Sequence, residues 1–126
     1  MNEEMVLKAA EIENRARQLE ESLQIIDNQI SELDSFIDGL DNFAKSKENE
    51  MLSGFGRRVY VKTKIEDKEN LFVEVGAGII VKKTPQDTLE IAKDQIARLQ
   101  EARIQILSKL EEYHAQLQEF LEVMKN

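Results

Sequence analysis

Apolar residues recur along the first third of the chain at alternating steps of four and three: Met5, Ala9, Ile12, Ala16, Leu19, Leu23, Ile26, Ile30, Leu33, Ile37 and Leu40. This is a heptad seam, with Ala9, Ala16, Leu23, Ile30 and Ile37 at position a and the others at d. The same rhythm returns near the C-terminus. Leu89, Ile96, Arg103, Leu110, Leu117 and Met124 occupy a, and Ala92, Leu99, Ile106, Tyr113 and Phe120 occupy d. Arg103 is the one charged seam residue, a type that lowers stability while fixing register or partner. The spacing predicts two long helices, about 60 to 70 Å each. Gly39 falls inside the first and marks a place where that helix can bend. The start of the second is signalled by Thr84 as a cap, Pro85 at the first helical position and Asp87 three residues after the cap.

Between the helices the period changes to two. Val59, Val61, Thr63 and Ile65 alternate with Tyr60, Lys62 and Lys64, and Leu71, Val73 and Val75 alternate with Phe72 and Glu74. "EDKEN" supplies a polar turn, and Gly76 and Gly78 permit a tight reversal into Ile79, Ile80 and Val81. With a less distinct initial strand near Met51 and Leu52, the middle reads as two small hairpins. The expected fold is α+β: a long antiparallel two-helix coiled coil joined by two small β-hairpins. It is expected to form a single domain over 1–126, with helical segments 1–49 and 84–126 around a hairpin region 50–83. A short piece between two long seams lets the helices fold back and cover each other. Two hairpins are marginal in water and present open edges. The sheet is therefore expected to be an assembly device that pairs with copies or relatives of itself, through Val59, Val61, Ile65, Leu71, Phe72, Val73, Val75, Gly76, Gly78, Ile79, Ile80 and Val81.

Composition narrows the function. Of 126 residues, 33% are charged and 6% aromatic, with no Trp, which argues against an aromatic-lined ligand pocket. The absence of cysteine removes disulfides, thiolate metal sites and cysteine nucleophiles. No apolar run approaches a membrane span, and the N-terminus lacks the basic and apolar regions of a secretion signal, so a cytoplasmic location away from membranes is expected. Residues 2–50 carry a formal charge of −8, residues 51–84 of +3 and residues 85–126 of −3. This distribution opposes binding to nucleic acid.

The remaining motifs are better explained by structure than by catalysis, and no cofactor is expected. "VGAG" lacks the third glycine of a dinucleotide fingerprint, where Val81 stands, and precedes a strand, not a helix. No phosphate-binding Walker loop occurs. His114 is the only histidine and has no clustered ligands or nucleophile to work with. Arg57, Arg58, Lys62, Lys64 and Lys68 are read as edge protection of a short hairpin, with contact to an acidic partner as the second reading.

The layout resembles the prefoldin family, specifically its archaeal alpha-type subunit, over nearly the whole chain. The most specific part is "NLFVEVGAGIIVKKTPQDTLE", similar to that family's apolar strand, Val-Gly-x-Gly turn, second strand and capped helix opening. Alpha-type subunits have two hairpins and beta-type subunits one, so the long middle matches alpha. The resemblance implies a hexamer of two alpha and four beta subunits whose hairpins form a double barrel bearing six coiled coils. It also implies an ATP-independent holding chaperone that grips non-native proteins and passes them to a group II chaperonin. In "MLSGFGRR" the sequence departs from the family: Gly54 stands where a proline is expected and Arg58 where a second glycine is expected. The first hairpin is therefore expected to bend differently.

A holding chaperone needs adaptable exposed apolar surface. Val6 and Leu7 at e and f, and Leu121 and Val123 beside the seam residues Phe120 and Met124, widen both helix ends beyond what a seam requires. The candidate client site is therefore Met1, Met5, Val6, Leu7, Phe120, Leu121, Val123 and Met124. The first helix is expected to run about five residues past the second, leaving Met1, Met5, Val6 and Leu7 overhanging. Ile25 at c and Ile104 at b leave the seam far from the ends, so contacts spread along the inner faces are the competing reading. A coiled-coil scaffold or filament former is the alternative function.

Overall fold

The computed structural model describes residues 3–125. Its elements follow the order α1 (Glu3–Lys45), β1 (Glu50–Gly56), β2 (Val59–Lys64), β3 (Leu71–Gly76), β4 (Ile79–Lys83) and α2 (Pro85–Lys125). The chain divides into two compact units. One holds the residues up to Leu33 together with those from Gln95 onward, and the other is Asp34–Asp94.

In the helical unit, α1 and α2 run antiparallel: Arg103 Nε donates to Asp27 Oδ1 at 2.8 Å, and His114 Nε2 lies 3.9 Å from Glu20 Oε1. Every predicted seam residue of both helices is buried or half-buried. Two of them, Ala16 and Leu110, are only 5% and 6% exposed. The Asp27–Arg103 bond sets a register that brings the small a residues Ala9 and Ala16 level with the large d residues Phe120 and Tyr113. Small-against-large pairing lets the helix axes stay close while aromatic side chains fill the seam.

The hairpin unit combines the end of α1, the four strands and the start of α2. Leu40, Thr88 and Ala92 are its buried residues. The helix start is capped as expected, with Asp87 N–H donating to Thr84 Oγ1 at 3.1 Å and Thr88 Oγ1 donating to the Thr84 carbonyl at 2.9 Å. At the end of α1 the heptad rhythm breaks: Phe43, not Ala44, is the half-buried residue, and Lys68 Nζ lies 5.5 Å from its ring centroid. The same ammonium donates to the Ser46 carbonyl at 2.5 Å. A cation there complements the negative end of the helix dipole and ties the β2–β3 loop down. Lys68 thus corrects the edge-protection reading, because it lies off the strands and serves the helix terminus. Gly39 does not interrupt α1.

The strands form two separate two-stranded antiparallel sheets, β1–β2 and β3–β4. The initial strand β1 is fully formed and seven residues long. Each sheet carries one register shift, between Gly54 and Gly56 and between Glu74 and Gly76. Each hairpin then turns through two residues of positive φ: Arg57 (50°) and Arg58 (63°) in the first, Ala77 (51°) and Gly78 (75°) in the second. Two consecutive positive φ values are the signature of a type I′ turn, whose twist matches that of the flanking strands. The two hairpins of this chain therefore turn alike, although the first lacks the second glycine. Strand twist dictates the turn, and Arg57 and Arg58 adopt a backbone region that L-residues avoid.

Candidate functional site

Two surfaces emerge, one in each unit. In the helical unit the heptad e positions of α1, namely Val6, Glu13, Glu20 and Asp27, form one column, because residues seven apart stack on a helix face in a coiled coil. On the facing side of α2 the e column is Leu107, His114 and Leu121. Two inner rungs are polar: Asp27 with Arg103, which stands at a, and Glu20 with His114 at e, an ion pair when the imidazole is protonated. Toward the chain termini the character changes. Val6, Ala9, Ala10, Glu13, Leu117, Phe120, Leu121 and Met124 line an open apolar depression of about 390 Å³.

Of the predicted client residues, the structure thus brings Val6, Phe120, Leu121 and Met124 together on this one side. Met5 is half-buried in the seam. Leu7 is 70% exposed and Val123 57% exposed, and neither lines the depression. This follows from their f and g positions, which turn away from the e side. Met1 lies outside the described residues. The register also brings Met5 level with Met124, so Met5, Val6 and Leu7 do not overhang: α1 ends at Lys45, short of the helical segment 1–49 expected from sequence, and the helices have 43 and 41 residues. Sequence reasoning missed Ala9, Ala10, Glu13 and Leu117. The small residues Ala9 and Ala10 leave the floor of the depression open beside Phe120. Exposure is not confined to the ends, since Ile25 and Ile104 are solvent-exposed as well.

In the hairpin unit the strands leave much apolar surface uncovered. In β3–β4 the pleat divides the residues into two faces. Leu71, Val73 and Val81 lie half-buried on one, whereas Phe72 and Ile80 on the other are 71% and 64% exposed. In β1–β2, Val59 and Val61 are exposed as well, and so are Met51, Leu52, Phe55 and Tyr60, which the sequence reading left out. The bulged residues Phe55 and Val75 occupy equivalent places in the two hairpins, and both are exposed. Polar bonds hold the first sheet's own faces: Ser53 and Thr63 hydroxyls pair at 2.7 Å and Lys62 meets Glu50 at 3.3 Å.

Asp67 organises the β2–β3 loop. Its carboxylate accepts from the Asn70 side-chain amide at 3.0 Å and from the Glu69 N–H at 2.8 Å, and these bonds hold it below the usual carboxylate range. Among the described residues no cluster of His, Cys, Asp and Glu could hold a metal ion, and no helix is long and apolar enough to cross a membrane.

Comparison with known proteins agrees with this architecture. The family profile described as Prefoldin, prefoldin subunit, matches residues 12–126. Prefoldin subunit alpha 2 of Thermococcus kodakarensis is 31% identical over 81 residues, 64% of this chain and 57% of that protein. Prefoldin subunit 5 of Homo sapiens is 35% identical over 81 residues, 64% of this chain and 53% of that protein. Prefoldin subunit alpha of Methanoregula boonei is 29% identical over 76 residues, 60% of this chain and 50% of that protein. The matches span about half the length of these curated relatives. Among solved structures, a filamentous PFD from Methanocaldococcus jannaschii, determined by cryo-EM, superposes with a TM-score of 0.78 at 20% identity, covering 96% of this chain and 98% of that one.

Proposed function

The chain belongs to the prefoldin family, on its alpha-type side, and from that premise we propose that it is a subunit of an ATP-independent holding chaperone. The observation that carries this reading is the apolar depression between Val6 and Leu121, formed where the coiled coil's polar rungs stop. A seam that only had to hold two helices together would keep its flanks polar to the end. Here Val6 and Leu121 make both flanks apolar together, and Met124 contributes a flexible side chain suited to varied ligands. Non-native proteins are the clients, held through exposed apolar segments and passed on to a group II chaperonin.

Assembly is the hairpins' task. Phe72, Val75, Ile79 and Ile80, with Val59 and Val61 of the other sheet, are apolar residues that a lone chain leaves in water. Pairing with beta-type subunits, two alpha to four beta, covers them and satisfies the strand edges. Val6→Ser combined with Leu121→Ser tests the client site. The doubly substituted subunit should assemble normally by native mass spectrometry and lose most of its ability to suppress aggregation of an unfolded protein. Unchanged suppression in an intact complex would rule the depression out.

A scaffold or filament is the second reading, favoured by the filamentous nature of the M. jannaschii protein and by the open edges of both sheets. Polymers of the chain alone that do not delay aggregation would select it.

A further inference from the structure

The column Asp27, Glu20, Glu13, Val6 has a regular logic until its third rung. Asp27 meets Arg103 across the seam, and Glu20, one heptad further out, meets His114. Glu13 is the next acid in the series, and the residue of α2 one heptad beyond His114 is Leu121. Arg103 reaches Asp27 from the a column of α2 and His114 reaches Glu20 from the e column; further out both columns hold leucines, Leu117 and Leu121, so neither offers Glu13 a basic group. Glu13 makes no ion pair or hydrogen bond among the described residues, whereas its neighbour Glu11 is paired with Arg15 at 2.6 Å. Among the described residues it is also the only charged one lining the depression. Arg17 and Lys125 lie outside the lining.

An unpaired carboxylate at the rim of an apolar groove complements a ligand that brings both an apolar group and a cation. We propose that this groove takes client segments in which an apolar side chain stands beside a lysine or arginine. The apolar group rests on Val6, Phe120, Leu121 and Met124, and the cation completes the empty rung at Glu13. This rests on the reading of the depression as the client site and adds a charge preference to it. Segments with an acidic residue at the same place are disfavoured by like charge at close range.

The test uses the assembled protein and three fluorescent peptides that share one apolar core and differ in a single flanking residue, Lys, Gln or Glu, read by anisotropy. The Lys probe should bind up to about fivefold tighter than the Gln probe, the range of an exposed ion pair, and the advantage should shrink with added salt. Glu13→Gln should erase the difference, and Glu13→Lys should reverse the order in favour of the Glu probe. Glu32→Gln, which removes the same charge elsewhere on α1, should keep the wild-type order. A Lys preference that survives Glu13→Gln would assign it to the net negative charge of the chain, and equal binding of all three probes to the wild type would leave an apolar groove without charge selection; either result overturns the proposal. If Val6→Ser with Leu121→Ser leaves every probe bound as before, the client site itself is elsewhere and both readings fall.

Discussion

The helical seam and the hairpin strands carry apolar residues of the same kinds, and these meet opposite fates. In the seam, Ala16 and Leu110 are almost wholly withdrawn from water because α1 and α2 supply each other's cover. In the strands, Phe72 and Ile80 are as open as surface residues because each sheet has only two strands. A long helix with one apolar stripe needs one partner, and the chain provides it. A two-stranded sheet needs cover on its faces and neighbours at its edges, and a hairpin can give itself neither. One region covers its own apolar residues and the other leaves them open to water.

That contrast can be broken most forcefully by charge in the strands. Phe72→Lys with Ile80→Lys should abolish higher-order assembly in native mass spectrometry while the helical content of the chain, read by circular dichroism, stays unchanged. An assembly that survives both lysines would show that this face is not the joining surface. Leu110→Ala should do the reverse. Emptying a buried seam position costs about 2–3 kcal/mol and should lower the unfolding midpoint, with strand contacts untouched.

The twin turns sharpen the comparison at smaller scale. Gly78→Ala should destabilise the second hairpin by about 1 kcal/mol, since open space around the glycine leaves backbone strain as the main cost. Arg58→Gly should relieve the corresponding strain in the first, by about 0.5 kcal/mol after the extra freedom of the unfolded glycine is counted. Amide exchange in β1 and β2 is the readout. The half-exposed Arg103–Asp27 pair should show a coupling under about 1 kcal/mol in a double-mutant cycle, falling with salt. The smallest effect belongs to Asp67. Its carboxyl is depressed when folded, so its contribution is present above the usual carboxylate pKa and lost as pH falls through the lower folded value. An NMR titration giving Asp67 an ordinary or raised value would contradict the loop geometry.

The same contrast explains what could be read early. Heptad spacing located every seam residue from Met5 to Leu40 and from Leu89 to Met124, because burial in a paired helix is a local, periodic property. Alternation and glycine placed both hairpins, and Thr84 placed the start of α2. Strand β1 was faint since "MLSGFG" mixes small and apolar residues without a clean period, and so Leu52 and Phe55 were overlooked as exposed surface.

By itself, then, the sequence determined the elements, the seam and the two-hairpin layout of an alpha-type prefoldin subunit. The tertiary structure decided the rest. Whether α1 overhangs α2 depends on where the strands release the helices, and whether Val6 joins Leu121 while Leu7 and Val123 turn away depends on which side of an antiparallel pair each residue faces. Periodicity along one helix is blind to both, because register between helices is fixed by contacts such as Asp27 with Arg103, 76 residues apart in the chain.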